Sequence, residues 1–179
     1  MYVGVFWSPK GSLQNSDTHH LNSLFKNGKD IFVSGFGLRE NELWSSANNG
    51  YVQNLTTNQK MIENIHHPHS VFVLGDDIYY CESSTKRVKM NGQTIIQLDC
   101  GYTRGLSVDN EYLLLGTNSG RKTSKGDGFV ANPADHGQII LDCKVLAYQR
   151  SHVSENFELI KSFDFLPEHK EIYDIMIIK

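Results

Sequence analysis

Short runs of β-branched and aromatic residues alternate with turn punctuation along most of the chain. The runs are "DIFVSG" (30–35), "SVFVL" (70–74), "DIYYC" (77–81), "TIIQL" (94–98), "EYLLLG" (111–116), "QIILDC" (138–143) and "KVLAYQ" (144–149). Each has the length and composition of a strand. Between them stand Asn27-Gly28, Asn49-Gly50 and Asn91-Gly92, dipeptides that tolerate the positive φ of a hairpin turn. Gly75-Asp76-Asp77 and Asp109-Asn110 are further turn signals. No long stretch carries an apolar period of ~3.6 residues. "HLNSLFKNG" (20–28) could make a helical turn in isolation. The pattern as a whole predicts an all-β chain.

A gapless internal repeat sharpens that expectation. "NSLFKNGKDIFVSG" (22–35) aligns with "HSVFVLGDDIYYCE" (69–82) and "RGLSVDNEYLLLGT" (104–117). Each copy reads as a polar residue, a small residue, a strand, a turn and a second strand. The relatives of "HLNSLFKNG" therefore argue for a strand there too. "DIMIIK" (174–179), led by Glu171-Ile172-Tyr173, reads as a truncated fourth copy. The last interval is widened by the Gly- and Ser-rich stretch 118–138, a long loop insertion. Repeats of ~40–50 residues with several short strands suggest β-propeller blades. The expected architecture is one β-propeller-like domain over 1–179, with about three blades plus a closing strand. Three blades do not close a ring, and open strand edges invite pairing. A homodimer through the exposed blade edges, two half-rings making about six blades, follows as an expectation, with a compact single-chain β domain as the alternative. The strand "YVGVFW" (2–7) could patch an outer edge.

Composition narrows the function classes. The chain has 179 residues, 39% of them hydrophobic and 21% charged, with a net charge of −3. These values fit one soluble domain and give no broad nucleic-acid footprint. No apolar run approaches the ~20 residues of a membrane span. Cys81, Cys100 and Cys143 are widely spaced and suggest neither a zinc ribbon nor a disulfide framework, so a cytoplasmic location is expected. Cys81 and Cys143 lie in apolar contexts typical of inert thiols. "GTNSGRKT" (116–123) misses the spacing of a phosphate loop, because Gly116 and Gly120 are one residue too close.

The chemistry-bearing residues gather at one repeat position. Asn22, His69, Arg104 and Asp174 lead the four copies. Just ahead of them stand His19 and His20, His66 and His67, Tyr102, and Glu171. In a propeller this position faces the mouth of the central channel. His20, His67 and His69 are candidate ligands for a divalent metal ion, with Glu171 and Asp174 adding oxygen. Alternation along a strand would let His67 and His69 project together while His66 points away. Arg104 could clasp an anionic group, with Asn22 and Tyr102 as further ligand contacts. Arg104, Glu171 and Asp174 would then be the catalytic set, a carboxylate serving as general base. The bland alternatives stand beside these readings. The histidines could bond neighbouring carbonyls, Arg104 could form a salt bridge to Glu171 or Asp174, and the tyrosines could be core. The sequence therefore supports a binder of a small anionic or sugar-like ligand, capable of metal-assisted hydrolysis or elimination. A non-catalytic interaction scaffold is the rival.

The order of short motifs resembles the uncharacterised DUF4915 family of bacterial propeller-like proteins. The matching pieces are His20-Leu21-Asn22, Trp44 followed by "NNGYV" (48–52), Pro68-His69-Ser70, Thr103-Arg104-Gly105-Leu106, "GTNSGR" (116–121) and Glu171-Ile172-Tyr173-Asp174. The resemblance covers roughly residues 19–178 and implies a propeller fold without a defined activity. Members of that family are longer and carry blades ahead of the first motif. This implies either a half-propeller needing a partner or an incomplete reading frame.

Overall fold

Each copy of the repeat becomes the inner hairpin of a separate sheet. In the computed structural model, described over residues 7–9, 17–41, 44–119, 143–151, 156–165 and 171–178, there are three such sheets. The first contains β1 (Leu21–Asn27), β2 (Asp30–Gly35), β3 (Gly50–Asn54) and β4 (Gln59–Ile65). The second contains β5 (Pro68–Leu74), β6 (Asp77–Glu82), β7 (Arg87–Met90) and β8 (Gln93–Gln97). The third contains β9 (Tyr102–Val108), β10 (Tyr112–Asn118), β11 (Lys144–Arg150) and β12 (Phe157–Asp164). All three are antiparallel meanders with strands in sequence order. The chain is all-β and propeller-like, with each sheet forming one blade. Among the described residues no helix is long and apolar enough to cross a membrane.

The turn chemistry fits the sequence with two adjustments. Asn91 and Gly92 both have positive φ between Met90 and Gln93, as a type I′ turn requires. At Asn27-Gly28, however, Asn27 closes β1 and pairs with Asp30. Gly28 alone takes positive φ, the requirement of a type II′ turn, and Gly75 does the same between Leu74 and Asp77. Asn49-Gly50 is not a hairpin turn, because Gly50 begins β3. A Cβ at Gly50 would collide with the Ile65 carbonyl and the Pro68 ring, so glycine is needed for close approach.

Two dry layers join the blades. Phe32, Val52 and Ile65 on the back of the first blade meet Val71, Val73, Ile78 and Tyr80 on the front of the second. Tyr79, Cys81, Val88 and Ile96 on the back of the second meet Leu106, Val108, Leu113 and Leu115 on the front of the third. Hydroxyls pin these layers near the inner strands. Ser23 Oγ accepts from the Val71 amide at 3.1 Å, and Ser70 Oγ from the Gly105 amide at 2.8 Å. Ser107 Oγ accepts from the Ile177 amide at 3.1 Å, so residues 171–178 take the place of a next inner strand. They are not a regular strand. Ile172 and Ile175 nonetheless close on Gly105 and Gly116. Residues 2–6, 120–138 and most of "QIILDC" lie outside the described residues.

Candidate functional site

The inner strands do not run straight into the mouth. Each sheet has a register irregularity near the leading end of its inner hairpin, at Leu21/Ser23, His69/Phe72 and Leu115/Thr117. His20 and His67, at equivalent repeat positions, adopt φ of 45° and 50°, and Ser70 adopts 54°. Such bulges and left-handed residues re-aim side chains that simple alternation would place elsewhere. β5 lies between β1 and β9, so the three leading ends converge.

The result is a layer of rings around Phe36, the residue that follows β2. His67 stacks on Phe36 with centroids 4.4 Å apart and planes 7° apart. His69 meets Phe36 edge-on at 5.1 Å and Tyr102 at 5.5 Å. His20 packs against Phe36 at 4.6 Å and Trp44 at 4.8 Å. The guanidinium of Arg39 covers the outer side of Trp44 at 4.8 Å. His67 and His69 thus do face a common space, although a bent backbone brings them there. His66 is exposed. His19 is half-buried, its Nδ1 3.3 Å from the Tyr51 hydroxyl.

The hydrogen bonds fix the tautomers. His67 Nε2 lies 3.1 Å from the Trp44 carbonyl. A carbonyl only accepts, so Nε2 carries the proton and Nδ1 accepts from the Tyr102 hydroxyl at 3.3 Å. His69 uses the opposite tautomer. Its Nδ1 lies 3.2 Å from the His67 carbonyl and 2.9 Å from Ser83 Oγ. Ser83 spends its own proton on the Thr103 carbonyl at 2.5 Å. His69 Nδ1 must therefore donate, leaving the lone pair on Nε2. Burial lowers the His67 pKa to about 4, against the pull of the Trp44 carbonyl. Burial, then the charge of Arg104, holds His69 well below its ordinary range. Both imidazoles are neutral at neutral pH. Burial raises the Tyr102 phenol, with Arg104 offsetting part of the shift.

These bonds decide what each expected site residue can do. Among the described residues, no three His, Cys, Asp or Glu side chains stand where they could hold a metal ion. The set His20, His67 and His69 is not assembled as ligands: both nitrogens of His67 are engaged, and His20 Nδ1 pairs with Asp17 Oδ2 at 2.9 Å. A divalent metal does not fit this arrangement, and no chemical step is derived through one. Asn22 is taken up by the joint between blades. Its Nδ2 donates to the Pro68 carbonyl at 2.8 Å, and its Oδ1 accepts from Ser34 Oγ at 2.7 Å.

The third blade differs. Arg104 is half-buried, and its guanidinium lies 4.2 Å from the centroid of the Tyr173 ring. The Tyr173 hydroxyl donates to Glu171 Oε2 at 2.5 Å. Asp174 is exposed and accepts from the Ile175 amide beside it at 2.9 Å. Arg104, Tyr173 and Glu171 are thus one cluster, with Asp174 at its margin.

Several organising residues escape a reading of the sequence. Phe36 and Trp44 carry the ring layer, and Ser83 orients His69. Glu82 is 3% exposed and anchors the turn beneath. Its carboxylate accepts from Thr85 at 2.8 Å, Lys89 at 3.1 Å and the His66 amide at 3.3 Å. Burial alone would raise its pKa, but these donors outweigh it and lower the value. Trp44 stands in one of the motifs of the family resemblance and Phe36 directly follows an apolar strand, but neither signal marks a carrier of the ring layer. Cys81 is buried, and burial pushes its thiol up to about 12, consistent with an inert core residue.

No curated protein matches this chain. The model of a family described as a domain of unknown function, DUF4915, matches residues 3–179, and the chain belongs to that family.

Proposed function

We propose that the chain binds a small anionic ligand at the mouth formed by its inner strands. Arg104 supplies the anion contact, and the ring layer of His69, Tyr102 and Phe36 supplies an apolar wall. One observation carries this reading. A half-buried guanidinium lies 4.2 Å from the centroid of the Tyr173 ring, on the inner strand next to the one that carries His69. A planar donor fork beside an uncharged acceptor, His69 Nε2, suits a carboxylate or phosphate bearing a hydroxyl, as in an acidic or phosphorylated sugar. No disulfide joins Cys81, Cys100 and Cys143 among the described residues, which suits a reducing, cytoplasmic setting.

The interaction scaffold remains the second reading for the first two blades. Asn22, His67 and His69 direct their protons to backbone carbonyls or a serine, as structural polar groups do.

The test is a thermal-shift titration with inorganic phosphate, citrate, glucuronate and glucose 6-phosphate. At least one should raise Tm saturably, and Arg104→Gln should abolish that rise while the free variant keeps a cooperative unfolding transition. Absence of any rise, or a rise unchanged in Arg104→Gln, would sink the proposal.

A further inference from the structure

The side chains that lead the first two copies of the repeat are fixed by hydrogen bonds. Asn22 donates to the Pro68 carbonyl and accepts from Ser34, and His69 Nδ1 lies 2.9 Å from Ser83 Oγ. Arg104 leads the third copy and meets an aromatic ring. Its Cζ lies over Tyr173, 4.2 Å from the ring centroid and well inside the ~6 Å over which a cation and a ring face attract. A guanidinium that stacks on a ring keeps its N–H groups in the plane, where a carboxylate or phosphate is bound bidentately.

The ring is itself placed by packing next to Arg104. Gly105 follows Arg104 in β9, and a Cβ there would stand 3.2 Å from Ile172 Cγ2. A Cβ at Gly116 would stand 2.9 Å from the same methyl and would strike the Arg104 carbonyl. Two glycines thus admit Ile172, the residue before Tyr173. The Ile172 amide donates to Asn118 Oδ1 at 2.6 Å and holds the backbone there. At its far end the Tyr173 hydroxyl donates to Glu171 Oε2. A long side chain left unfixed loses conformational entropy when a ligand orders it.

We propose that Tyr173 is a positioning residue for the anion site, its ring holding the Arg104 guanidinium at the mouth before a ligand arrives. This rests on the reading of Arg104 as the anion contact. The ring face carries the role, and the hydroxyl bond to Glu171 orients the ring.

Two measurements on the full chain test it. The first needs no ligand. In a proton–nitrogen correlation spectrum at mildly acidic pH, the Arg104 Nε–Hε cross peak is assigned by its loss in Arg104→Gln. It should lie upfield, shifted by the ring current. Tyr173→Leu should return it toward the random-coil position, and Tyr173→Phe should leave it upfield. Tyr173 is 60% exposed, so both variants should keep the wild-type circular dichroism spectrum. The second is calorimetric titration with inorganic phosphate, citrate, glucuronate and glucose 6-phosphate. Tyr173→Leu should weaken whichever of them binds wild type by about 3- to 10-fold, the cost of ordering one such side chain, and Tyr173→Phe should stay within about 2-fold. A cross peak unmoved in Tyr173→Leu, or wild-type affinity in that variant, would overturn the positioning role and leave Arg104 as the anion contact. A wild type that binds none of the four would overturn both.

Discussion

His69 and Arg104 hold the same place in successive repeats, yet they meet different surroundings. His69 is 3% exposed, and its Nδ1 proton is shared between the His67 carbonyl and Ser83. Arg104 is half-buried and leans on Tyr173, a side chain that is itself 60% exposed. The difference follows from what covers each position. A complete blade lies on either side of β5, whereas β9 is flanked on one side by the short segment 171–178. A polar residue at a repeat position becomes deeply buried when complete blades close over both sides, and stays half-buried where a single short segment lies on one side.

Replacing His69 by Ala should test this contrast most severely. It removes a buried ring and leaves the Ser83 and His67 acceptors without their donor. A loss of about 3 kcal/mol is expected in urea unfolding. A loss below about 1 kcal/mol would mean that the site is not closed.

Acid should act next most strongly, and on the first two blades. The ordinary histidine value is 6.5, and His67 in the fold is lowered to about 4. Between those values the unfolded chain binds a proton that the native chain refuses. Stability at His67 is therefore complete above pH 6.5 and declines as pH falls toward 4, by up to about 3 kcal/mol. His69 shifts in the same direction and adds to the slope. His67→Gln should flatten the dependence of the urea midpoint on pH, and an unchanged slope would contradict the assignment.

Asn22→Ala should cost about 2 kcal/mol in the same unfolding measurement, because the Pro68 carbonyl loses its side-chain donor and the Ser34 hydroxyl keeps only Ser23. The smallest effect belongs to Arg104→Gln. Unfolding should shift by no more than about 1 kcal/mol, the scale of a half-buried guanidinium–ring contact such as that with Tyr173. A large destabilisation there would erase the distinction between the two positions.

The inner hairpins were legible because both of their faces are apolar, which gives continuous runs such as "SVFVL" and "EYLLLG". The outer strands β4 and β12 were not. "QKMIENI" and "FELIKSFD" are mostly exposed, so little burial marks their period. The repeat correctly brought Asn22, His69 and Arg104 to neighbouring inner strands. It could not reveal that Ser83 and the Trp44 carbonyl would engage the imidazoles. Those partners are remote in sequence, and one of them is a backbone atom. Nor could it foresee the left-handed φ at His20 and His67, since neither residue type requires it.

The strict meander order within each blade bears on how the polypeptide acquires its structure during synthesis. Every strand pairs only with its neighbours along the chain. The four strands of the first blade are complete once Ile65 has emerged, before any residue of the second is needed. Blades can therefore form in the order in which the ribosome releases them, each new inner hairpin docking on a finished surface. The third must wait for β11 and β12, which follow β10 only after residues 119–143, so its closure carries the largest sequence separation between paired neighbours of the three.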